Sequence, residues 1–501
     1  MRLQRSFLLS LQSLLLAKVA FAAFGFTTSG NSINVDTNAG LLFTVNKATG
    51  DITSMKFNGI EVQDPGSKKS HINSGIGATC SATRTGNNNN YIKITCEAGT
   101  LTHYYVARYN DPAIHMATHI TAEPSVGELR FIARLRRAAV PNGYVASDVN
   151  GGSIIEGSDV FNLNSQTRSK FYSSRQFIDD QIHGVTGNGI GTSIIKGAHN
   201  RSCIINSGHT QTEQWASTVP SPSPLISLIV YQTNRTSSAL WFTTGSQPST
   251  NLNTLFWEGL SVKGLVPQSG RGRVIGTSSG VPSKFAGLQV VGFSNSAAQY
   301  WTRTDSNGRF TSPYMKPGTY TMTLYKAELG VATKSVTVTA GGVLTSNIAS
   351  AEDNRSVIWQ LGDFDGTPRG FLNADKIETM HPSDARMRSW GPATFTVGDS
   401  IANFPMAVFK AIGPLTIKFN LNSNQLGART LEIATTNAFA GGRPQVKVNN
   451  WTGPAPSAPN QPNSRGVTRG TWRGNNIRYT INIREHSSSS HSAEILFIQQ
   501  Y

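Results

Sequence analysis

The sequence predicts an all-β protein assembled from several sandwich domains. The chain has 501 residues, 48 of them glycine, and only 14% are charged. Few stretches sustain a helical period, whereas short alternating segments bounded by turn residues recur along the whole chain. At this length roughly two to four domains are expected.

Taken in order, residues 1–22 read as a secretory signal. Arg2 and Arg5 form a basic start, "FLLSLQSLLLA" is the apolar core, and Ala20-Phe21-Ala22 fits a small-x-small cleavage site. The apolar run is too short to span a bilayer. An exported, extracellular protein with no membrane partner is therefore expected. Residues 23–262 form a large antiparallel β region. Within it "GLLFTVNKATGDITSMKFNGIEVQ" alternates on either side of Gly50-Asp51, and "LTHYYVARYNDPAIHMATHITAE" alternates around Asn110-Asp111-Pro112. Residues 263–349 carry closely spaced strands with Ser-Asn-Gly and Lys-Pro-Gly turns, which suggest a fibronectin type III-like sandwich. Residues 350–501 open with "IWQLGDFDGTPRGFLNAD" and contain "TIKFNLN" and "RTLEIATT", consistent with a further sandwich of jelly-roll type.

The net charge is +16. No recognition helix, finger or RNA-binding signature accompanies it, and export argues against nucleic acid. An acidic extracellular polysaccharide fits better, beside the plainer role of charge in solubility. Cys80 and Cys96 flank "SATRTGNNNNYIKIT", which reads as two strands joined by an Asn-rich turn and is compatible with a cross-strand disulfide. Cys203 is left over. Asn200, Asn234, Asn354 and Asn450 each begin an N-x-S/T sequon, as expected for a secreted glycoprotein.

The stretch "ELRFIARLRR" is the most informative for chemistry. As a strand it sends Leu129, Phe131, Ala133 and Leu135 to one face and Arg130, Ile132, Arg134 and Arg136 to the other. Guanidinium groups in a row make either a site for carboxylates, gripped in bidentate fashion, or a solvated basic face. Lys170, between turn residues and "FY", becomes a usable base if positive neighbours lower its pKa from the usual ~10.4. His209, in "INSGHTQTE", follows an Asn-Ser-Gly turn. Hydrolysis of a polyuronide would need two carboxylates, for which Glu156, Asp159, Asp179 and Asp180 are candidates. β-Elimination instead needs a neutralised carboxylate, a base for the C5 proton and an acid for the departing C4 oxygen. Arginines, a lysine and a histidine supply those roles. No cofactor is required; "DFDG" at 363–366 is the nearest approach to a structural calcium loop, and a weak one.

The chain resembles the rhamnogalacturonan lyases of polysaccharide lyase family 4, particularly the secreted fungal members. The resemblance rests on "AFGFTTSGN", "DPAIHMATHITAEPSVGELRFIARL", "IEGSDVF", "TRSKFYSS", "NSGHTQTE", "SAAQYW", "MKPGTYTM", "MHPSDARM", "SWGP", "FPMAVFK" and "FAGGRPQ". It implies a catalytic β-sandwich, a fibronectin type III-like domain and a carbohydrate-binding-like jelly roll, in a monomer acting on rhamnogalacturonan I. It further implies that Lys170 and His209 are the catalytic pair, that Arg130 and Arg134 bind the galacturonate carboxylate, and that Glu213 contributes to substrate binding.

Four departures stand out against that family. "NRSCIINSGH" omits about thirty residues that relatives carry, within the loop variation sandwiches tolerate. Ser202 and Ile204 replace tyrosines. Gly184 and Gly50 stand where relatives place cysteines, the partners of Cys203 and Cys96. The tail "REHSSSSHSAEILFIQQY" does not match the family's final strands; with the shortened segment, this implies that one catalytic-domain strand and one jelly-roll strand are missing. These changes raise the alternative of a catalytically impaired relative that only binds pectin.

Overall fold

The computed structural model describes residues 23–67, 69–72, 77–121, 130–143, 151–156, 160–169, 182–196, 215–218, 225–231, 237–249, 253–353, 356–374, 385, 391–410, 412–435, 442–457, 475–483 and 492–500. Throughout these residues the regular elements are strands and single short 3₁₀ turns, as the glycine-rich alternating sequence predicts.

The alternating segments of the first part build a layered sandwich. A five-stranded meander, Gly25–Ser29 to Ile60–Glu61, precedes an eight-stranded sheet and a four-stranded sheet. Phe43, Val45, Ile52, Ile94, Tyr105, Met116, Phe131 and Leu135 share one buried core among them. In the eight-stranded sheet Thr79–Thr85, Tyr91–Ala98, Leu101–Arg108 and Ala113–Ile120 follow one another as hairpin neighbours. The Asn-rich turn falls at Asn87–Asn89, and Cys80 is paired across the strands with Cys96 and bonded to it. Gly50 abuts this bridge: a Cβ there would lie 3.7 Å from Cys96 Cβ, inside the usual span of a disulfide. Its φ of 76° is one that glycine tolerates and a cysteine would not favour.

His103 lies in this core, hydrogen-bonded through Nδ1 to Thr118 Oγ1 at 2.8 Å on the neighbouring strand. Burial pushes its pKa from 6.5 down to about 3. Burial also lowers the pKa of His115, against the opposing effect of its hydrogen bond to the Asp111 carboxylate. The unfolded chain protonates at His103 near 6.5 and the folded chain only near 3, so stability is lost as pH falls between these values. Denaturation midpoints taken at about pH 7 and about pH 4 should therefore differ less in His103→Gln than in the unaltered protein. An equal drop in both would remove His103 from the acid limb.

The segment after the large sandwich folds back over the outer face of the eight-stranded sheet. Trp257 and Leu260 bury themselves against Tyr104 and Val106. Lys93 Nζ donates to Leu260 O at 2.7 Å, and Lys263 N donates to the Tyr104 hydroxyl at 3.1 Å. Two four-stranded sheets then pack around Val274, Val291, Phe293, Met322 and Leu324 in a fibronectin type III-like arrangement. At the Lys-Pro-Gly turn the Tyr320 hydroxyl donates to Lys316 O, and Lys316 N donates to the Tyr300 hydroxyl.

"DFDG" joins this unit to the next. The Asp365 carbonyl accepts from Glu328 N and Leu329 N, both at 2.9 Å, and its carboxylate accepts from the amide and hydroxyl of Thr367. Asp363 pairs with Lys284. The motif is thus occupied in docking the third unit against the hairpin turn at 326–329.

The third unit corrects one expectation. Its five-stranded sheet runs Ala393–Thr396, Leu415–Asn420, Ser492–Gln500, Arg443–Val448 and Trp451–Thr452. The atypical tail therefore supplies the central strand, paired along its length with Leu415–Asn420 on one side and Arg443–Val448 on the other. "EILFIQQ" carries an apolar run suited to a buried strand. Strand-forming character is retained there, so the sheet is continuous across it. Ile417, Phe419, Val446 and Val448 form the core beside it.

Candidate active site

The arginine-bearing strand is Arg130–Arg136, set between Leu225–Tyr231 and the short strand His71–Ile72. The period-two prediction holds: Phe131, Ala133 and Leu135 are fully buried in the sandwich core. Phe131 stacks on the His103 ring at 6.1 Å and meets Tyr105 edge-on at 6.4 Å. Locking that face inward leaves Ile132, Arg134 and Arg136 on the opposite face of the sheet. Ile132 is only 2% exposed, so this face is covered around its midpoint rather than being a bare basic strip. His71 pairs with Ile132 and is itself buried. Its Nδ1 lies 3.9 Å from Asp51, whose pKa burial raises against a hydrogen bond with the Thr49 side chain.

Arg134 is held by groups that no local pattern announces. The chain pairs with the strand twice, through Val62–Asp64 and through Ser70–Ile72, and loops out between. Arg136 N donates to Val62 O at 2.7 Å and Asp64 N donates to Arg134 O at 3.0 Å. Where the loop interrupts the ladder, a side chain substitutes for the missing carbonyl. Ser70 Oγ accepts the Arg134 N–H at 2.8 Å and donates onward to Gln63 Oε1 at 2.7 Å. Ser70 has no exposed surface. Ser70→Ala should leave the Arg134 N–H and Gln63 Oε1 unsatisfied together, costing about 1–3 kcal/mol. A denaturation midpoint unchanged in that variant would contradict this support.

The other expected site residues are placed as follows. Arg130 opens the strand opposite Tyr231. The strand Gln166–Ser169 ends one residue before Lys170, and Lys170, His209, Glu213 and Cys203 lie outside the described residues. So do Asp159, Asp179, Asp180, Asn200, Asn234 and Asn354; Glu156 ends the strand Ser153–Glu156. Asn450 is exposed in the turn between Arg443–Val448 and Trp451–Thr452, following Asn449 with its φ of 51°. Gly184 pairs with Ser193, and a Cβ there would come within 2.2 Å of Ser193 Oγ. Among the described residues no group of three or more His, Cys, Asp or Glu is arranged to hold a metal ion. No helix among them is long and apolar enough to cross a membrane.

The described residues form three successive all-β units, with Arg134 and Arg136 on one face of a strand in the first. Comparison with known proteins defines the class. Residues 24–264 match the family model for rhamnogalacturonan lyase B, N-terminal. Residues 270–346 match polysaccharide lyase family 4, domain II, and residues 357–501 match domain III of the same family. The chain is 49% identical to the probable rhamnogalacturonate lyase A of Aspergillus terreus, covering 93% of this chain and 90% of that protein. It is 48% identical to the rhamnogalacturonate lyase A of Emericella nidulans (96% and 92% covered) and to that of Aspergillus aculeatus (93% and 90%). The chain belongs to the rhamnogalacturonan lyases of polysaccharide lyase family 4.

Proposed function

We propose that the protein is a secreted, monomeric endolyase that cleaves the rhamnogalacturonan I backbone of pectin by β-elimination at galacturonic acid. The observation that carries this is the Arg130–Arg136 strand, core-locked on one face, clamped at its edge by Ser70 and Asp64, and carrying arginines on the other face. Identity at nearly half the residues with proteins named rhamnogalacturonate lyase supports the same reading.

The chemistry assigns each side chain one task. Arg130 and Arg134 pair with the galacturonate carboxylate and disperse its charge, which acidifies the C5 proton. Lys170 is the base that takes this proton. His209 protonates the C4 oxygen as the C4–O bond breaks and the C4–C5 double bond forms. Glu213 helps bind the sugar. The products are a new reducing end and an unsaturated uronate, with no water consumed and no cofactor needed. Export removes residues 1–22, and Asn450 is a carrier of N-linked glycan. No observation favours the impaired, binding-only alternative.

Arg130→Ala should lower kcat/KM on the free-acid polymer on the order of 10²-fold, the range for loss of one charge-stabilising donor. The loss should be much smaller on a methyl-esterified substrate. Equal loss on both would contradict the neutralising role.

A further inference from the structure

At the edge of the large sandwich, turns from three parts of the chain gather a second set of sugar-binding chemistry. Tyr109 N donates to Asn90 O, and Asn110 N donates to Thr37 O, which draws the turns at 37–40, 86–90 and 109–112 together. Tyr109 is 52% exposed although it is aromatic. It is braced from below by Phe24, which is 5% exposed, edge-to-face at 5.5 Å. The Arg84 guanidinium lies 5.1 Å over the same Phe24 ring, and its Nε donates to Asn89 O at 2.9 Å. Its two terminal nitrogens take no hydrogen-bond partner among the described residues, and the residue is exposed, so the fork is open to a ligand. Asn38 Nδ2 donates to Asn110 Oδ1 at 2.6 Å, and both residues have positive φ. This pairing leaves the Asn110 amide N–H groups and the Asn38 amide oxygen for a ligand. The acidic side chains of these turns are already engaged. Asp36 accepts the Asn38 N–H, and Asp111 is paired with His115 and Arg108.

We propose that Tyr109, Arg84, Asn38 and Asn110 form a second, non-catalytic binding site for an acidic polysaccharide of alternating uronate and neutral sugars. The Tyr109 ring receives a sugar face, the Arg84 fork takes a uronate carboxylate, and the paired amides meet hydroxyls. None of these residues lies on the Arg130–Arg136 strand or pairs with it. The choice of polymer rests on the function proposed above, whereas the side-chain arrangement does not. Such a site would hold the enzyme on its polymer between cleavage events.

The test is electrophoresis of the full-length protein through native gels cast with rhamnogalacturonan or with a neutral galactan. Loss of a charged bidentate contact and an aromatic platform should weaken retardation by rhamnogalacturonan about tenfold in Arg84→Gln/Tyr109→Ala. Tyr109→Phe, which keeps the ring on Phe24, should remain close to the unaltered protein. Release of unsaturated product from an oligosaccharide just long enough for the catalytic groove should be unchanged. Retardation of the double variant equal to that of the unaltered protein overturns the proposal, as does an equal loss on neutral galactan. Retardation is read without turnover, so a failed lyase assignment would appear separately, as absence of unsaturated product from every variant.

Discussion

Lys170→Ala and His209→Ala should each lower turnover of rhamnogalacturonan by at least ~10²-fold, the range expected for positioned acid–base groups. The two losses differ in kind. Without Lys170 nothing takes the C5 proton, so the defect should diminish as pH rises and hydroxide or an added primary amine replaces the base. Without His209 the leaving oxygen departs unprotonated, and the defect should be least on substrates whose leaving group is already a good one. KM should change little in either case, because neither residue is the main grip on the carboxylate. Near-wild-type turnover in either variant would remove that residue from the reaction. Because the two act in one step, the double variant should be barely worse than the poorer single one.

Phe131→Ala should give the largest loss of stability. The side chain has no exposed surface and packs against the rings of both His103 and Tyr105 in the core shared by the sandwich sheets. Its removal strips buried apolar area and leaves a cavity, together costing about 3–5 kcal/mol. For a domain of this size that corresponds to a fall in Tm on the order of 10 °C. With three units in the chain, calorimetry should show one transition moving while the others stay in place. Phe131→Leu should recover most of the loss. The same strand carries Arg130 and Arg134, so activity should fall in step with folded fraction in Phe131→Ala. An unmoved transition would mean that the strand does not pack as described.

How much of this was legible in the sequence differs from element to element. The Arg130–Arg136 strand was legible because Phe131, Ala133 and Leu135 alternate with a set that includes three arginines, which leaves one way to bury a face. The hairpin bridged by Cys80 and Cys96 was legible because a turn-rich run separates two β-branched segments at short range. Ser70 and Gln63 were not legible as supports of Arg134. They reach it only because the chain meets the strand at Val62–Asp64 and again at Ser70–Ile72, and nothing local encodes a hydroxyl standing in for a ladder carbonyl. "DFDG" suggested a cation loop by spacing, yet its carbonyl and carboxylate serve a docking turn whose partner lies some way earlier in the chain. The tail is the opposite case. Its departure from the expected pattern suggested a missing strand, yet "EILFIQQ" forms the central one, because a central strand asks for apolar β character rather than a particular sequence.

The central claim is elimination at a galacturonate in the rhamnogalacturonan backbone. It is tested most directly by incubating the purified protein with rhamnogalacturonan, following ultraviolet absorbance of the conjugated C4–C5 double bond, and counting new reducing ends in parallel. The expected result is absorbance rising in fixed proportion to new ends, one double bond for each bond cut. New ends without absorbance would mean hydrolysis and would contradict the account.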